Sequence, residues 1–238
     1  MFDFTDRIVL VGGAAGNLGQ AVARAFYASG ANLVLLDRKP GRLAALFPEM
    51  AASPDHLLLD SVDAADTDSV EGAVQAAIER FGRLDILANT IGGYRGGAPV
   101  HETPLETWDF LLTLNARTAL ILSRAVVPHM LERGSGKIVH VASRAGLKGT
   151  ARNAAQSASK SVLLRLVESL SAELRREGIN VNCVVPNMMD TPNNRESMPK
   201  ADHSRWVPPE AIADVILFLA SDAARAVTGA AVPVYGQS

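Results

Sequence analysis

Residues 8–19, Ile-Val-Leu-Val-Gly-Gly-Ala-Ala-Gly-Asn-Leu-Gly, decide the fold of this chain. The four branched apolar residues predict a short strand that is buried on both faces, as in a parallel sheet. Gly13, Gly16 and Gly19 form a Gly-x-x-Gly-x-x-Gly turn, and a helical apolar pattern follows and stops at Gly30. Such a turn lets the backbone and the helix N-terminus approach a pyrophosphate. Because strand and helix flank the glycines, we prefer a nucleotide site to an ordinary strand-to-helix turn.

The length, composition and charge of the chain limit the classes of protein to which it can belong. The chain has 238 residues, of which 48% are hydrophobic and 20% charged, and a formal net charge of −2. This predicts one domain over residues 1–238 and gives no electrostatic reason to expect nucleic acid. Cys183 is the single cysteine, so we interpret it as a small core residue. We find no signal-peptide pattern and no uninterrupted apolar run of membrane length, and we expect a cytoplasmic protein without a membrane segment or metal site.

Further strands and helices alternate along the chain. Apolar runs predict strands at 33–36, 57–59, 86–88, 138–142, 179–185 and 231–234. Thr103-Pro104-Leu105-Glu106 is interpreted as a capping box that opens a helix to about Leu131, and a second long helix is predicted from Asn153 to Glu177. Residues 186–207 predict a substrate loop or lid. The pattern predicts an α/β fold: a doubly wound, Rossmann-type, seven-stranded parallel sheet with helices on both faces.

Polar or turn-forming residues follow most of the predicted strands. Because ligands bind beyond the carboxyl ends of parallel strands, we expect these residues to meet in one crevice. They are Gly13, Asp37, Asp60, Asn89, Ser143 and Pro186. A carboxylate at Asp37 suits the ribose hydroxyls of NAD and repels a 2′-phosphate, but Arg38 and Lys39 keep NADP as an alternative. Asp60 fits either the adenine edge or an ordinary turn.

Together these residues resemble the short-chain dehydrogenase/reductase family over nearly the whole chain. Asn89-Thr90-Ile91-Gly92 is similar to the family's Asn-Asn-Ala-Gly, and residues 186–191, Pro-Asn-Met-Met-Asp-Thr, are similar to its Pro-Gly-x-x-x-Thr. The resemblance also rests on Gly13 to Gly19, Asp60, Asn115, Ser143, Lys160 and the tail from Pro209 to Gly229. It implies hydride transfer between a nicotinamide and a small-molecule carbonyl or secondary alcohol.

The resemblance also implies the roles of individual residues. In the family a serine orients the substrate oxygen, a tyrosine moves its proton, a lysine binds the nicotinamide ribose and lowers the tyrosine pKa, and an asparagine holds a water. Three of these roles fall on Ser143, Lys160 and Asn115. The cofactor-binding positions are Gly13, Gly16, Asn17, Leu18, Gly19, Asp37, Arg38, Asp60, Ser61, Asn89, Lys160, Pro186, Met188 and Thr191. The substrate positions are Tyr94, Ala145 and Met188, with Ile91 and Gly146 as further pocket-lining candidates.

This chain has no tyrosine at the position of the family's catalytic tyrosine. Its place, one helical turn before Lys160, is taken by Gln156. An amide can hydrogen-bond a carbonyl but does not titrate, so it cannot supply the proton. Three interpretations stay open: an engineered loss, a natural chain in which another group moves the proton, and a dinucleotide-binding regulatory or scaffold protein without ordinary turnover. Candidate proton donors are Tyr94, His101 and a water relayed by Lys160.

Two further alternatives concern chemistry and assembly. A reductase of an imine or quinonoid substrate would take its proton from water and need no phenol. The helices around residues 108–130 and 155–174 carry apolar residues on more than one face, and in the resembled family such helices pair between subunits. We therefore expect a homotetramer, with a dimer as the fallback. Of the remaining histidines singled out, His140 is interpreted as structural and His203 as exposed.

Overall fold

The computed structural model describes residues 2–237 and contains a seven-stranded sheet in the order β3-β2-β1-β4-β5-β6-β7. The strands are β1 (Ile8–Gly12), β2 (Asn32–Leu36), β3 (Leu57–Leu59), β4 (Ile86–Asn89), β5 (Gly136–Val141), β6 (Ile179–Pro186) and β7 (Ala231–Val234). All neighbouring strands are parallel. The predicted fold class is confirmed. The strand order reverses between β1 and β4, which is where an open parallel sheet forms a ligand crevice.

Nine helices are found in the described residues. They are α1 (Asn17–Ala28), α2 (Arg42–Leu46), α3 (Pro48–Ala51), α4 (Thr67–Phe81), α5 (Leu105–Leu112), α6 (Thr118–Arg133), α7 (Ala154–Leu174), α8 (Pro192–Ser197) and α9 (Pro209–Ala220). The short helices α2, α3 and α8 were not predicted, because four to six residues are too few to show a helical period. Helix α8 lies inside the segment predicted as a loop or lid.

The sheet is covered on both faces. Val9 and Val11 of β1 share one core with apolar residues of α1 and α9. Ile8 and Leu10 of the same strand point the other way, into a core with residues of α4, α6 and α7. This alternation explains why the strands are apolar throughout rather than at every second residue. Cys183 is fully buried in the second core. The two helical layers leave the carboxyl edge of the sheet for the loops.

The long helix after β4 was predicted as one continuous helix, and the structure differs from that prediction in the middle of the helix. Residues 105–133 continue as α5, one π-helical turn (Thr113–Arg117) and α6. By length and composition alone this helix could cross a membrane, but 56% of its most apolar window is buried inside the fold. That burial is typical of a core helix. The π-helical turn contains Asn115, one of the predicted site residues, and such turns are frequent at functional sites.

The predicted capping box at Thr103 is wrong. Helix α5 begins at Leu105, its N-cap is Pro104, and no side chain caps it. Thr103 Oγ1 instead donates to the carbonyl of Pro99 at 2.9 Å. Because Pro104 is extended, with ψ near 137°, the helix starts one residue later than predicted and the threonine is used by the loop before it. Helix α7 likewise ends at Leu174, three residues before the predicted Glu177.

Candidate active site

The glycine turn joins β1 to α1 by a close backbone approach. Gly13 lies in the left-handed region, with φ of 75°. A Cβ atom on Gly19 would lie 2.1 Å from the carbonyl oxygen of Gly13, so no larger residue fits there without a backbone shift. Helix α1 begins at Asn17 with Gly16 as its N-cap, so it has no side-chain cap, and its first turn contains no acidic residue. The N–H groups of that turn, at Asn17 and Leu18, are therefore available to an anion, which fits the diphosphate of a dinucleotide.

Asp37 is held against this turn. Its Oδ2 accepts from the N–H of Ala15 at 3.2 Å, and its Oδ1 accepts from the N–H of Lys39 at 3.0 Å. The end of β2 and the glycine turn thus share one carboxylate, at the place where a nucleotide ribose would follow the diphosphate. Arg38 beside it is exposed. The arrangement fits the ribose role predicted for Asp37.

Asp60 has a local structural role in the turn after β2. Its two carboxylate oxygens accept from the N–H groups of Gly41 at 3.1 Å and Leu43 at 3.2 Å. It therefore shapes the turn after β2 and the start of α2. Ser61 follows in the left-handed region, with φ of 67°, and is exposed. Both residues follow β3, which is separated from β1 by β2 in the sheet.

Asn89 is fixed by a buried chain of hydrogen bonds. Its Oδ1 accepts from the N–H of Ile91 at 3.1 Å, so its Nδ2 donates to His140 Nδ1 at 3.2 Å. The other ring nitrogen of His140 faces Ser123 Oγ at 3.1 Å, and that hydroxyl donates to the carbonyl of Ala119. The chain of donors selects neutral His140 with its proton on Nε2. Burial, followed by the charge of Lys160, lowers the pKa of His140 to about 4. His140 is structural, as predicted.

Thr90 is a residue whose individual role the sequence analysis missed. Its Oγ1 donates to the carbonyl of Gly12 at 2.7 Å, and its backbone N–H donates to the same oxygen at 3.0 Å. The turn after β4 is thereby tied to the glycine turn after β1. In the sequence Thr90 is only part of the segment Asn89-Thr90-Ile91-Gly92, because its partner lies on another strand and nothing in the spacing indicates the contact.

Asn115 occupies the centre of a buried polar network. Its Oδ1 accepts from the N–H of Gly93 at 2.9 Å. Its Nδ2 lies 3.2 Å from the Gly93 carbonyl, 3.0 Å from Ser159 Oγ and 3.4 Å from Gln156 Oε1. Ser159 was not predicted, because its partner Asn115 lies on a different helix. The network connects the π-helical turn, the loop after β4 and helix α7.

Lys160 reaches the same point from α7. Its side chain is 4% exposed, and Nζ donates to the carbonyl of Val141 at 2.7 Å. A Cβ atom on Gly92 would lie 3.0 Å from Lys160 Nζ and 3.1 Å from Asn115 Oδ1, so both side chains converge above that glycine. Burial lowers the pKa of Lys160 to about 8. The structure therefore brings Lys160 and Asn115 together, as the sequence analysis expected.

Ser143 closes this site from the end of β5. Its Oγ accepts from the N–H of Ala145 at 3.2 Å, which caps the short 3₁₀ turn Arg144–Gly146 and leaves the hydroxyl proton to donate elsewhere. A Cβ atom on Gly146 would lie 2.8 Å from the backbone of Lys160, so this turn packs directly on α7. Ser143 and Ala145 are partly exposed at the edge of the crevice.

Gln156 is buried, with 5% of its surface exposed, one turn before Lys160 on α7. The two side chains considered as substitute proton donors lie on the surface. Tyr94 is 67% exposed, and its hydroxyl folds back over Gly96. His101 is also exposed and lies 3.3 Å from Glu102. Neither hydrogen-bonds the network around Asn115 and Gln156 in the part of the chain that the structure describes.

The segment after β6 folds back on itself. Pro186 ends the strand, and the Met188 carbonyl accepts from the N–H of Val207 at 2.9 Å. Thr191 is buried, and its Oγ1 accepts from the N–H of Asn194, which caps α8. His203, expected to be exposed, is partly buried: it contacts the Met198 carbonyl at 2.8 Å, and its ring centroid lies 4.4 Å from that of Trp206. The segment therefore contains a short helix and several local contacts rather than irregular loop alone.

Comparison with known proteins extends this description. A family profile described as "Enoyl-(Acyl carrier protein) reductase" matches residues 13–236. The chain is 33% identical to the (2S)-[(R)-hydroxy(phenyl)methyl]succinyl-CoA dehydrogenase subunit of Thauera aromatica, over 97% of this chain and 96% of that protein. It is also 33% identical to D-threitol dehydrogenase of Mycolicibacterium smegmatis, over 99% and 94%.

Solved structures give the same result. The crystal structure of a short-chain dehydrogenase/reductase (SDR:Glucose/ribitol dehydrogenase) from Brucella melitensis superimposes with a TM-score of 0.90 at 32% identity, over 99% of this chain and 97% of that one. A structure of a protein called ElxO, titled with NADP bound, has a TM-score of 0.89 at 21% identity and supports the fold alone. The parallel sheet, the glycine turn and the extent of these matches establish that the chain belongs to the short-chain dehydrogenase/reductase family.

Proposed function

We propose that the chain is a nicotinamide-dependent oxidoreductase whose native reaction interconverts a carbonyl compound and a secondary alcohol, and that Gln156 slows its turnover. The observation that carries the proposal is the convergence of Lys160 and Asn115 above Gly92, beside the glycine turn at the carboxyl edge. The names of the relatives support an oxidoreductase that acts on hydroxyl compounds, and they differ too much to indicate one substrate.

The cofactor site suits NAD(H) better than NADP(H). The free N–H groups at the start of α1 would hold the diphosphate, and the Asp37 carboxylate would accept from the ribose hydroxyls. When bound, a nicotinamide nucleotide supplies or accepts the hydride. In this proposal Lys160 would hold the nicotinamide ribose, and Asn89, Thr191 and Met188 would line the same crevice. Arg38 and Lys39 are the residues that would favour NADP(H) if Asp37 turned away.

Proton transfer to the substrate oxygen is the step that this chain supports poorly. Ser143 can donate its hydroxyl proton in a hydrogen bond that orients a substrate oxygen, and the Gln156 amide can donate a second bond to that oxygen. Neither group releases a proton at ordinary pH. Gln156 stands where the family has a tyrosine, so the general acid is missing while the positioning groups remain. Loss of a positioned acid typically slows a reaction about 10²- to 10⁴-fold.

Replacing Gln156 tests this proposal. Gln156→Tyr should raise kcat with NADH over a panel of ketones by about 10²- to 10⁴-fold, because a phenol one turn before Lys160 can be tuned by the ammonium group. Gln156→Phe is the matched control, since it adds the same ring without the hydroxyl and should not raise kcat. Equal rates for the two variants would contradict the role assigned to this position.

We also propose a homotetramer, with a dimer as the fallback. Several large apolar side chains of α5, α6 and α7 are at least one-third exposed, which supports burial by another copy. They are Trp108, Phe110, Leu120 and Val162. Sedimentation at micromolar concentration should give the mass of four chains, and a monomer would contradict both states.

A further inference from the structure

A cavity of about 470 Å³ opens beside the buried network. It lies between the glycine-rich loop after β4 and the start of α7. Its lining includes Tyr94, Arg95, Thr107, Arg152 and Ala155. Ala155 directly precedes Gln156, and the N–H of Gly93, next to Tyr94, binds Asn115 Oδ1. The cavity and the buried network are thus joined by residues that are direct neighbours in the chain.

The charged groups of this cavity all have the same sign. Among its described lining residues, two are arginines and none is Asp or Glu. The Arg95 guanidinium carbon lies 3.6 Å from the ring centroid of Phe110. Arg152 Nη1 donates to the carbonyl of Gly97 at 3.3 Å. No described carboxylate pairs with either arginine, and both are exposed, so each can bind an anionic ligand without first breaking an ion pair.

Helix α7 adds to this positive field. It begins at Ala154, on the wall of the cavity, without a side-chain cap and without an acidic residue in its first turn. The N-terminal end of a helix carries a partial positive charge. An acidic residue would ordinarily be favourable here, and its absence leaves that charge to the cavity.

The loop geometry holds Arg152 in an unfavourable backbone conformation. Its φ is 60°, in the left-handed region, although it is not a glycine. This conformation is maintained because the Arg152 carbonyl accepts from the N–H of Gly97 at 2.8 Å, and the Arg152 side chain binds the same glycine. The loop after β4 and the loop before α7 are thereby clamped together with their two arginines on the cavity.

We infer that this cavity selects carbonyl substrates that carry an anionic group, such as a carboxylate or a phosphate, and that Arg95 and Arg152 bind that group. The inference rests on the proposed oxidoreductase function and names its substrate class. Arg152 lies two residues before the start of α7, and Gln156 lies in the first turn of that helix, so the anionic group would bind on the same side of the site as the reacting carbon. Neutral ketones and alcohols of the same shape would bind less tightly.

Binding of matched charged and neutral probes tests the inference. We would titrate the full chain, with and without NAD, with 5-oxohexanoate and its methyl ester, and with dihydroxyacetone phosphate and dihydroxyacetone, by calorimetry or ligand-observed NMR. The charged member of at least one pair should bind about 10-fold more tightly than its neutral counterpart, and higher salt should reduce that difference. The pair with the larger difference identifies carboxylate or phosphate as the preferred group.

Arginine variants provide the control. Arg95→Gln and Arg152→Gln should each weaken binding of the preferred charged probe by about 3- to 10-fold and change the neutral probe less than 2-fold. Arg176→Gln removes the same charge from an exposed position at the far end of the α7 segment and should change neither. Equal binding of charged and neutral probes, no binding of either, or equal effects of all three variants would overturn the inference.

The proposed function has a separate readout. Absence of hydride transfer from NADH in Gln156→Tyr would contradict the oxidoreductase proposal, whatever the binding experiment shows. Loss of charge selectivity with retained hydride transfer would contradict only the assignment of Arg95 and Arg152. The two failures are therefore distinguishable.

Discussion

The two halves of the carboxyl edge are built differently. Around β1, β2 and β4, the site is made of backbone atoms and short side chains that bind one another, as in the bonds from Thr90 to Gly12 and from Ala15 to Asp37. Around the cavity, the walls are loops with long exposed side chains such as Tyr94, Arg95 and Arg152. The first half suits a ligand shared by a whole family, and the second suits a ligand particular to one member.

The largest effect is expected in the half around β1, β2 and β4. Gly19→Ala places a methyl group 2.1 Å from the Gly13 carbonyl oxygen, so the turn or α1 must move. We expect NADH affinity to fall at least 100-fold and the free energy of unfolding to fall by several kcal/mol, on the order of other overpacked core substitutions. Calorimetry and urea denaturation measure both quantities.

Gly72→Ala is the matched control for this change. Gly72 lies in α4, and a Cβ atom there meets nothing within 4 Å. Alanine should stabilise the helix by about 0.5–1 kcal/mol and leave NADH affinity unchanged. Similar losses in both variants would mean that the contact between Gly19 and Gly13 has no special role.

The buried histidine should make stability depend on acid pH. The pKa of His140 is about 4 in the folded chain, below its ordinary value of 6.5. Below pH 6.5 the unfolded chain takes up a proton that the folded chain refuses, so the free energy of unfolding should fall between pH 6.5 and 4. The maximum loss is about 3 kcal/mol, from 1.4 kcal/mol per pKa unit. Urea denaturation at several pH values measures it.

His140→Asn separates this histidine from the other titrating groups. An amide can bond to both Asn89 and Ser123 without taking up a proton. The variant should therefore show a flatter pH dependence between 6.5 and 4, even if it is less stable at neutral pH. An unchanged slope would show that the acid sensitivity arises elsewhere.

The smallest effect is expected in the cavity half. Arg152→Gly removes a side chain from a left-handed backbone position, where a non-glycine residue costs about 1–2 kcal/mol. We expect the free energy of unfolding to rise by about 1 kcal/mol or less, since glycine also gains entropy in the unfolded chain. Lys148→Gly, in the same exposed loop without a positive φ, should lower stability instead. A loss in both would contradict strain at Arg152.

The same comparison explains what could be predicted. The strands, the glycine turn and the polar residues at strand ends follow from local patterns, and the structure places them at one edge. Ser159, Thr90 and the contact of Arg152 with Gly97 could not be predicted, because each depends on a partner distant in sequence. The prediction of a capping box at Thr103 failed because the residue types match that motif but the helix begins one residue later than the motif requires.

The central claim is that the carboxyl edge forms a nicotinamide nucleotide site with Asp37 at the ribose. A calorimetric titration of the full chain with NADH and then NADPH tests it most directly. We expect saturable binding of one NADH per chain, weaker binding of NADPH, and loss of this preference in Asp37→Ser. No heat of binding with either coenzyme, or tighter binding of NADPH to the unmodified chain, would contradict it.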